Sequence, residues 1–263
     1  QMQMERPKLD LSSFICILKA CSGNLSLGKA MDMHTRVIDC GFELDMSVGC
    51  SLIDMYVKCG SLESAQVMFN KSPCWDVAMW SALISGHAQL GHRKKAFELL
   101  DEMRQAKFEP NQVTYLSILK ACSLSTALQQ GRLVHGEIMR SGIELDNSIG
   151  NALVDMYSKC GDIKHAHQTF SLMQERDVVS WTIIISAYAH QGLHEEAFFL
   201  FKQMQQQEGM KCDNVVFSTA IQVCTSLLFI EAGKQIHVSI VSRHCELDAL
   251  LLSSLICMYT ECG

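Results

Sequence analysis

The residues most suggestive of chemistry are a histidine followed by two glutamates. His194 and Glu196 match the H-x-E half of a zinc-deaminase signature, in which the glutamate acts as general acid and base beside the metal. The P-C-x-x-C half of that signature is absent from the sequence. We therefore predict that His194, Glu195 and Glu196 form the exposed first turn of a helix, where the helix dipole favours carboxylates.

Other catalytic and metal-binding motifs are also missing. The 13 cysteines contain no C-x-x-C pair, and no phosphate-binding glycine loop occurs. The two histidines spaced four apart, His190 and His194, lack a companion glutamate in a zinc motif and straddle a predicted turn between helices. These patterns predict a chain that is not an enzyme and that carries no metal and no cofactor.

Several cysteines recur at fixed positions, which indicates small buried side chains rather than disulfides, with the thiols reduced. No apolar run approaches the 18 residues that a membrane span needs, so we expect no membrane partner. The sequence begins at Gln1 and contains no targeting peptide. We expect it to be a fragment of a longer protein.

The polar residues that do recur are aspartates and one asparagine at regular steps. Their separations are 31, 35, 35, 31, 36 and 35 residues. An aspartate carboxylate only accepts hydrogen bonds, whereas an asparagine amide also donates them. The series is Asp45, Asp76, Asn111, Asp146, Asp177, Asp213 and Asp248.

The elements that must position this series are paired helices. Within 77–111, apolar residues fall at helical spacing from Trp80 to His87, Gly91 ends the pattern, and a second pattern runs from Ala96 to Met103. The same two patterns recur 101 residues later around Trp181. One helical pair cannot bury its apolar face alone, but stacked pairs can. The sequence therefore predicts an all-α solenoid of helix–turn–helix repeats, with both tryptophans in its core.

The alternating lengths and local phrases resemble the PLS subclass of the pentatricopeptide-repeat (PPR) family. The phrases are Leu18-Lys19-Ala20-Cys21, Gly131-Arg132-Leu133-Val134-His135, Ala152 to Gly161, and Val178-Val179-Ser180-Trp181-Thr182. The resemblance divides the chain into a P-type tail 1–10, L 11–45, S 46–76, P 77–111, L 112–146, S 147–177, P 178–213, L 214–248 and a partial S 249–263.

The resemblance implies a right-handed α-solenoid superhelix whose first helices line a groove for single-stranded RNA, with about one base read per repeat. It further implies the target-recognition part of an RNA editing or processing factor in the mitochondrion or chloroplast. Other editing or processing factors, and a second copy paired through exposed solenoid ends, are the further partners that it implies.

The resemblance assigns base reading to the fifth and last residues of each repeat. The predicted pairs are Ser81 with Asn111 for adenine, Asn151 with Asp177 for uracil, Thr182 with Asp213 for guanine, and Ser218 with Asp248 leaning to guanine. The apolar fifth residues Ile15 and Leu116 predict silent repeats, and Cys50 receives no base. The expected RNA reads A, one unread base, U and G.

The second residue of each repeat is expected to pack on the face of a base. These residues are Ala78, Val113, Ser148, Val179 and Val215. Lys58 and Lys159 are candidates for phosphate contacts, with solvated lysines that favour the helix C-terminus as the alternative. His34, His135 and His237 share one repeat position and are predicted to be packing or interface residues.

The net charge of −6 argues against strong nonspecific binding to nucleic acid, although an acidic body can still carry a basic groove. The alternative is a protein-interaction scaffold of the tetratricopeptide kind. Such an array has a uniform period of about 34 residues and a W-x₂-L-G-x₂-Y phrase, and this sequence has neither.

Overall fold

The structure, a computed structural model, describes residues 11–21, 26–72, 74–207, 210, 212–242 and 247–263. These residues form fifteen helices and no strand, as the sequence predicts. The helices are α1 (Leu11–Cys21), α2 (Leu27–Asp39), α3 (Met46–Lys58), α4 (Leu62–Lys71), α5 (Val77–Gln89), α6 (Arg93–Gln105), α7 (Gln112–Leu124), α8 (Leu128–Ser141), α9 (Asn147–Lys159), α10 (Ile163–Leu172), α11 (Val178–His190), α12 (His194–Gln205), α13 (Asn214–Ser226), α14 (Ile230–Ser242) and α15 (Ala249–Cys262).

The chain divides into two compact units, 1–121 and 122–263. In the first unit, α1 packs on α3 and α3 on α5. In the second unit, α9, α11, α13 and α15 pack one on the next in the same way. Each of these helices is the first of a helical pair, so every unit has one layer built of first helices.

The recurring aspartates start the first helices. The carboxylate of Asp76 accepts a hydrogen bond from the backbone N–H of Met79 at 2.7 Å, and Asp213 accepts one from Val216 at 2.8 Å. Asp45, Asp146, Asp177 and Asp248 cap the following helix in the same manner. An N-cap of this kind is worth about 1 kcal/mol. The helix starts therefore coincide with the repeat starts read from the sequence.

Four glycines terminate first helices by adopting a left-handed backbone. Gly60, Gly91, Gly161 and Gly192 have φ between 75° and 78°. This conformation is easy for glycine and costs other residues about 1 kcal/mol. After α7 and α13, Thr126 and Leu228 adopt positive φ instead. The left-handed backbone at the turn between the two helices is thus common to these repeats, even where the residue is not glycine.

The two aligned tryptophans lie in the core, as predicted. Trp80 is 3% exposed and Trp181 is 4% exposed. Each meets the edge or face of a phenylalanine from the preceding helix, with ring centroids 4.6 Å apart for Phe69–Trp80 and 4.9 Å apart for Phe170–Trp181. Such pairs bury large apolar areas in a defined geometry. They fix how each helical pair packs on the next.

The three histidines that share a repeat position join successive repeats. Nδ1 of His34 lies 2.8 Å from the hydroxyl of Tyr56, and the pairs His135–Tyr157 and His237–Tyr259 lie at 2.9 Å. Each bond runs from a second helix to the next first helix. Burial lowers the pKa of His135, so its neutral form is favoured. The histidines therefore pack between successive repeats, in agreement with the prediction of packing or interface residues.

Two smaller predictions can also be compared with the structure. Glu195 and Glu196 occupy the first turn of α12 and are exposed, as predicted. Cys122 and Cys224, which share a repeat position, are buried, whereas Cys160 is only partly buried. None of the helices in the described ranges has the length and apolar character needed to cross a membrane.

Candidate functional site

A groove of about 380 Å³ in the first unit contains five of the predicted site residues. It runs along α3 and α5 to the start of α7, so first helices form its walls. The five predicted residues are Lys58, Ala78, Ser81, Asn111 and Val113. Residues that the sequence places up to 55 positions apart thus share one surface.

At the end of this groove, three polar groups surround the amide oxygen of Asn111. The backbone N–H of Thr114 donates to Oδ1 at 3.0 Å, the hydroxyl of Thr114 lies at 3.0 Å, and the hydroxyl of Ser81 at 3.2 Å. A flipped amide would set its NH₂ group against the backbone N–H, and two donors cannot pair. Oδ1 therefore points inward, and the Nδ2 amide remains to meet a ligand. We call Ser81, Asn111 and Thr114 the Asn111 centre.

Ser81 itself is 3% exposed and also bonds to the carbonyl of Val77 at 2.6 Å. Its hydroxyl lies 2.8 Å from that of Thr114, which is fully buried. Ser81 therefore acts on the groove through Asn111, whose side chain is exposed. The sequence pairing of Ser81 with Asn111 corresponds to a physical contact.

The second unit repeats this arrangement around an aspartate. The backbone N–H and the hydroxyl of Ser180 donate to Oδ1 of Asp177 at 2.8 and 2.9 Å, and Nδ2 of Asn151 donates to it at 3.3 Å. These three bonds all go to Oδ1, and Oδ2 is the outer oxygen of the carboxylate. We call Asn151, Asp177 and Ser180 the Asp177 centre.

Two electrostatic features mark the Asp177 centre. Burial alone would raise the pKa of Asp177, but hydrogen bonds from Ser180 and Asn151 outweigh it and lower that pKa. The carboxylate is therefore charged at neutral pH. Oδ1 of Asn151 is buried and has no hydrogen-bond partner among the described residues. A buried acceptor without a partner is unusual in a folded protein.

The other two predicted pairs are arranged differently. Thr182 donates to the carbonyl of Val178 at 2.7 Å, and no hydrogen bond links it to Asp213 within the described ranges. Ser218 is 2% exposed and contacts Ser254 at 2.8 Å. Asp248 accepts instead from Nδ2 of Asn214 at 3.2 Å. The structure therefore brings together the fifth and last residues in two of the four pairs.

Sequence reasoning missed Thr114, Ser180 and Asn214 as partners of the recurring Asp and Asn residues. Thr114 and Ser180 stand three residues after a last-position residue, where an N-cap finds its usual partner. A serine or threonine three residues after the cap could therefore have identified Thr114 and Ser180 from the sequence.

The second residues of the repeats lie at the surface. Val113, Val179 and Val215 are 53%, 52% and 48% exposed, and Ala78 and Ser148 are exposed as well. Exposed valines one residue inside a helix have no core to pack on. Their exposed side chains provide apolar surface next to Asn111, Asp177 and Asp213, against which the flat face of a base could pack. Ser148 differs in lining an open, acidic cleft of about 540 Å³ with Glu144, Asp146 and Glu175.

The two candidate phosphate contacts are both in ion pairs. Nζ of Lys58 lies 2.7 Å from Asp54, and Nζ of Lys159 lies 2.9 Å from Asp155. Both lysines lie in the last turn of a first helix. This position also fits the alternative to phosphate contacts, in which they are solvated lysines that favour the C-terminal end of the helix. Lys58 and Asp54 are the charged residues that line the groove, so its described lining is neutral rather than basic.

Comparison with protein-family models identifies this pattern of helical pairs. Models of the PPR repeat family match residues 75–123 and 176–226, and a PPR repeat model matches 50–74 and 151–178. Together the matches extend over 50–123 and 151–226, which is more than half of the 263 residues.

Curated relatives come from Arabidopsis thaliana. A pentatricopeptide repeat-containing protein is 38% identical over 95% of this chain, and a chloroplastic one is 32% identical over 97%. One named as mitochondrial is 34% identical over the whole chain. The chain spans 36%, 29% and 43% of the lengths of these three relatives, which are therefore much longer.

Among solved structures, the chain resembles the maize pentatricopeptide repeat protein PPR10 in complex with an 18-nucleotide psaJ RNA element. The TM-score is 0.58 at 19% identity, covering 95% of this chain and 43% of that one. Nuclear proteinaceous RNase P 2 of Arabidopsis thaliana matches 70% of this chain and 42% of its own, with a TM-score of 0.56 and 11% identity. At these identities the likeness establishes the fold.

Proposed function

This chain belongs to the pentatricopeptide-repeat family, and we propose that it binds single-stranded RNA by presenting one outward amide or carboxylate group per repeat to the edge of a base. The observation that carries the proposal is the shared construction of the Asn111 and Asp177 centres. In each centre the backbone N–H and the hydroxyl of the third residue donate to the inner oxygen, and the outer group is an amide in one centre and a carboxylate oxygen in the other.

The outer group selects bases by hydrogen-bond complementarity. The Watson–Crick edges of adenine and cytosine carry an unprotonated ring nitrogen, whereas those of guanine and uracil carry an N–H. The outward NH₂ of Asn111 suits the first class, and the outward Oδ2 of Asp177 suits the second. Together with the family resemblance, this supports adenine at the Asn111 centre and uracil at the Asp177 centre.

The remaining assignments extend the same scheme. Asp213 with Thr182 would read guanine, Asp248 with Ser218 would lean to guanine, and the repeat of Leu116 would be silent. Exposed second residues such as Val113 and Val179 would pack against the bases. Lys58 and Lys159 would exchange their aspartate partners for phosphates. The PLS division into P, L and S repeats is part of this proposal.

The proposal also places the chain in a cellular context. Because relatives are named as chloroplastic or mitochondrial, we propose that the longer protein works in one of these organelles. The repeats would supply target recognition, without chemistry of their own, to an RNA editing or processing factor. Other such factors, and a second copy of the chain, are the proposed protein partners.

Selection from a randomised pool of single-stranded RNA, repeated over a range of salt concentrations, tests this function. We expect enrichment of A-N-U-G in the 5′ to 3′ direction. Asn151→Ser should remove the uracil preference at the third base alone, because it deletes the amide that contacts Asp177. Leu116→Met, in the repeat predicted to be silent, is the matched control and should leave every position unchanged.

A pool that emerges unselected at moderate salt would contradict the proposal. It would favour the protein-interaction scaffold instead, which the net charge of −6 and the neutral groove suit better.

A further inference from the structure

Two buried hydroxyls lie directly beneath the proposed base-reading groups. Thr114 and Ser180 are both 0% exposed, and each is the third residue of its repeat. Their hydroxyls approach the inner oxygens of Asn111 and Asp177 at 3.0 and 2.9 Å. Neither hydroxyl can reach a base itself. Any effect on recognition must pass through the residue above it.

The fold does not require a hydroxyl at this position. The third residues of the other repeats that follow a described cap are aliphatic and buried: Val48, Met79, Ile149, Val216 and Leu251. In those repeats the third residue donates to the cap only through its backbone N–H, because its side chain carries no donor. Thr114 and Ser180 thus add a second donor that capping does not need.

The added donor restricts the side chain that it contacts. With one backbone donor, the side chain of a cap can rotate about its terminal bond while keeping that single hydrogen bond. With a hydroxyl donor on the same oxygen, that oxygen is held from two directions, and in the Asp177 centre the amide of Asn151 adds a third. The outer group then has one orientation before the ligand arrives, and preorganisation of this kind favours selective binding.

We propose that Thr114 and Ser180 are positioning residues that determine how sharply the Asn111 and Asp177 centres select their bases. This inference rests on the function proposed above. It predicts two strict repeats, 77–111 and 147–177, and a more permissive reading at Asp213, where Val216 offers no hydroxyl.

Thr114→Val tests the idea because valine keeps the shape of threonine and matches the aliphatic third residues elsewhere. We expect the adenine-to-guanine binding ratio at the first base to fall roughly threefold to tenfold, the value of one hydrogen bond. Thr114→Ser restores the hydroxyl and should restore the ratio. The complementary variant Val216→Thr should sharpen selection at the base read by Asp213.

A second readout needs no RNA. In NMR relaxation measurements on the folded chain, the side-chain NH₂ signals of Asn111 should be those of a rigid group. Thr114→Val should make these signals report faster motion as the amide begins to reorient about its Cβ–Cγ bond, and Thr114→Ser should keep them rigid. Unchanged signals in Thr114→Val would overturn the positioning role even if the wild-type chain bound no RNA.

The RNA outcomes separate the two proposals. A wild-type chain without base preference would refute the proposed function, and the NMR signals would still decide whether Thr114 positions Asn111. A wild-type chain that selects adenine, beside a Thr114→Val chain with the same ratio, would refute the positioning role alone. Equal weakening for all four bases would also refute it, because a purely structural residue would act in that way.

Discussion

The Asn111 centre of the first unit and the Asp177 centre of the second are the same device with opposite outer groups. In each, the backbone N–H and hydroxyl of the third residue donate to Oδ1 of the last residue, and the side chain of the fifth residue lies beside that oxygen. The outer group is a donor on Asn111 and an acceptor on Asp177. The outer group is therefore reversed, while the third residue supports the inner oxygen in the same way.

This comparison shows how a repeat protein can change its ligand without changing its fold. Asparagine and aspartate are about equally good helix caps, so the exchange between them is nearly neutral for the helix start. The cap and the reading group are the same side chain, with one oxygen used for each role. Stability constrains the inner oxygen and leaves the outer position free to vary.

The largest expected effect is the exchange of the outer group. Asp177→Asn should shift selection at the third RNA base from uracil to adenine and cytosine, and Asn111→Asp should shift the first base from adenine towards guanine and uracil. Each base ratio should change about 10-fold to 100-fold. Pool selection measures both shifts, and thermal unfolding should be nearly unaffected.

The control for this exchange is Asp146→Asn, which makes the same substitution after the silent repeat of Leu116. It should leave base selection unchanged. A shift in Asp146→Asn equal to that in Asp177→Asn would show that the effect comes from charge and not from base reading.

The next effect concerns stability. Asp177→Ala removes a cap and also leaves the Asn151 amide and the Ser180 hydroxyl without their acceptor, so the free energy of unfolding should fall by about 2 kcal/mol. Asp76→Ala removes a carboxylate that caps its helix through the backbone N–H of Met79, and should cost about 1 kcal/mol. Urea unfolding measures both. Equal losses would mean that the side-chain donors to Asp177 contribute nothing.

The fold was largely predictable from the sequence, because the aspartates that cap the first helices also mark the repeat starts. The spacing of apolar residues also predicted that Trp80 and Trp181 lie in the core, because the residues on the buried face of a helix recur every three or four positions. The pairing of Ser81 with Asn111 was predicted by resemblance and is a contact of 3.2 Å.

The hydrogen bonding within each centre was not predictable. The side-chain atom that points inward is set by the hydroxyls of Thr114 and Ser180. The distances from these hydroxyls to Asn111 and Asp177 cannot be read from the spacing of residues in the sequence. The burial of Ser218 and the contact of Asp248 with Asn214 likewise follow from packing of adjacent helices. The lysine partners Asp54 and Asp155 stand four residues away on the same helix face, so that spacing could have revealed them.

A smaller effect is expected at the second residues, which both centres share. Val179→Ser should weaken RNA binding roughly threefold, about 0.6 kcal/mol if a base covers about 25 Å² of the side chain. Base preference should not change, since the face of a base carries little identity. Val67→Ser, at 51% exposure on the second helix α4, is the matched control. Titration with the selected RNA compares them, and equal weakening would reject the stacking role.

The smallest effect is a pH dependence that belongs to one centre only. Hydrogen bonds lower the pKa of Asp177 against the opposing effect of burial. Its charged form therefore stabilises the fold above the unfolded pKa, and this stability is lost as the pH falls through the lower, folded pKa. Asp177→Asn has no titratable side chain at this position and therefore lacks this pH dependence.

The measurement is the difference in free energy of unfolding between wild type and Asp177→Asn. It should be constant at neutral pH and shift in favour of the variant below about pH 3.8, the ordinary value for an aspartate. A difference that stays the same down to pH 3 would contradict the hydrogen-bonded carboxylate described here.

The most direct test of the outward-group mechanism alters single atoms of the RNA. Replacing the first adenosine of the selected RNA by 1-deazaadenosine removes the ring nitrogen that should accept a hydrogen bond from Asn111. Replacing the uridine at the third base by N3-methyluridine removes the N–H that should donate to Asp177. Each change should weaken binding about 10-fold, and 1-deazaadenosine at the unread second base should match adenosine there. Equal affinity for the altered and unaltered RNAs would contradict the account.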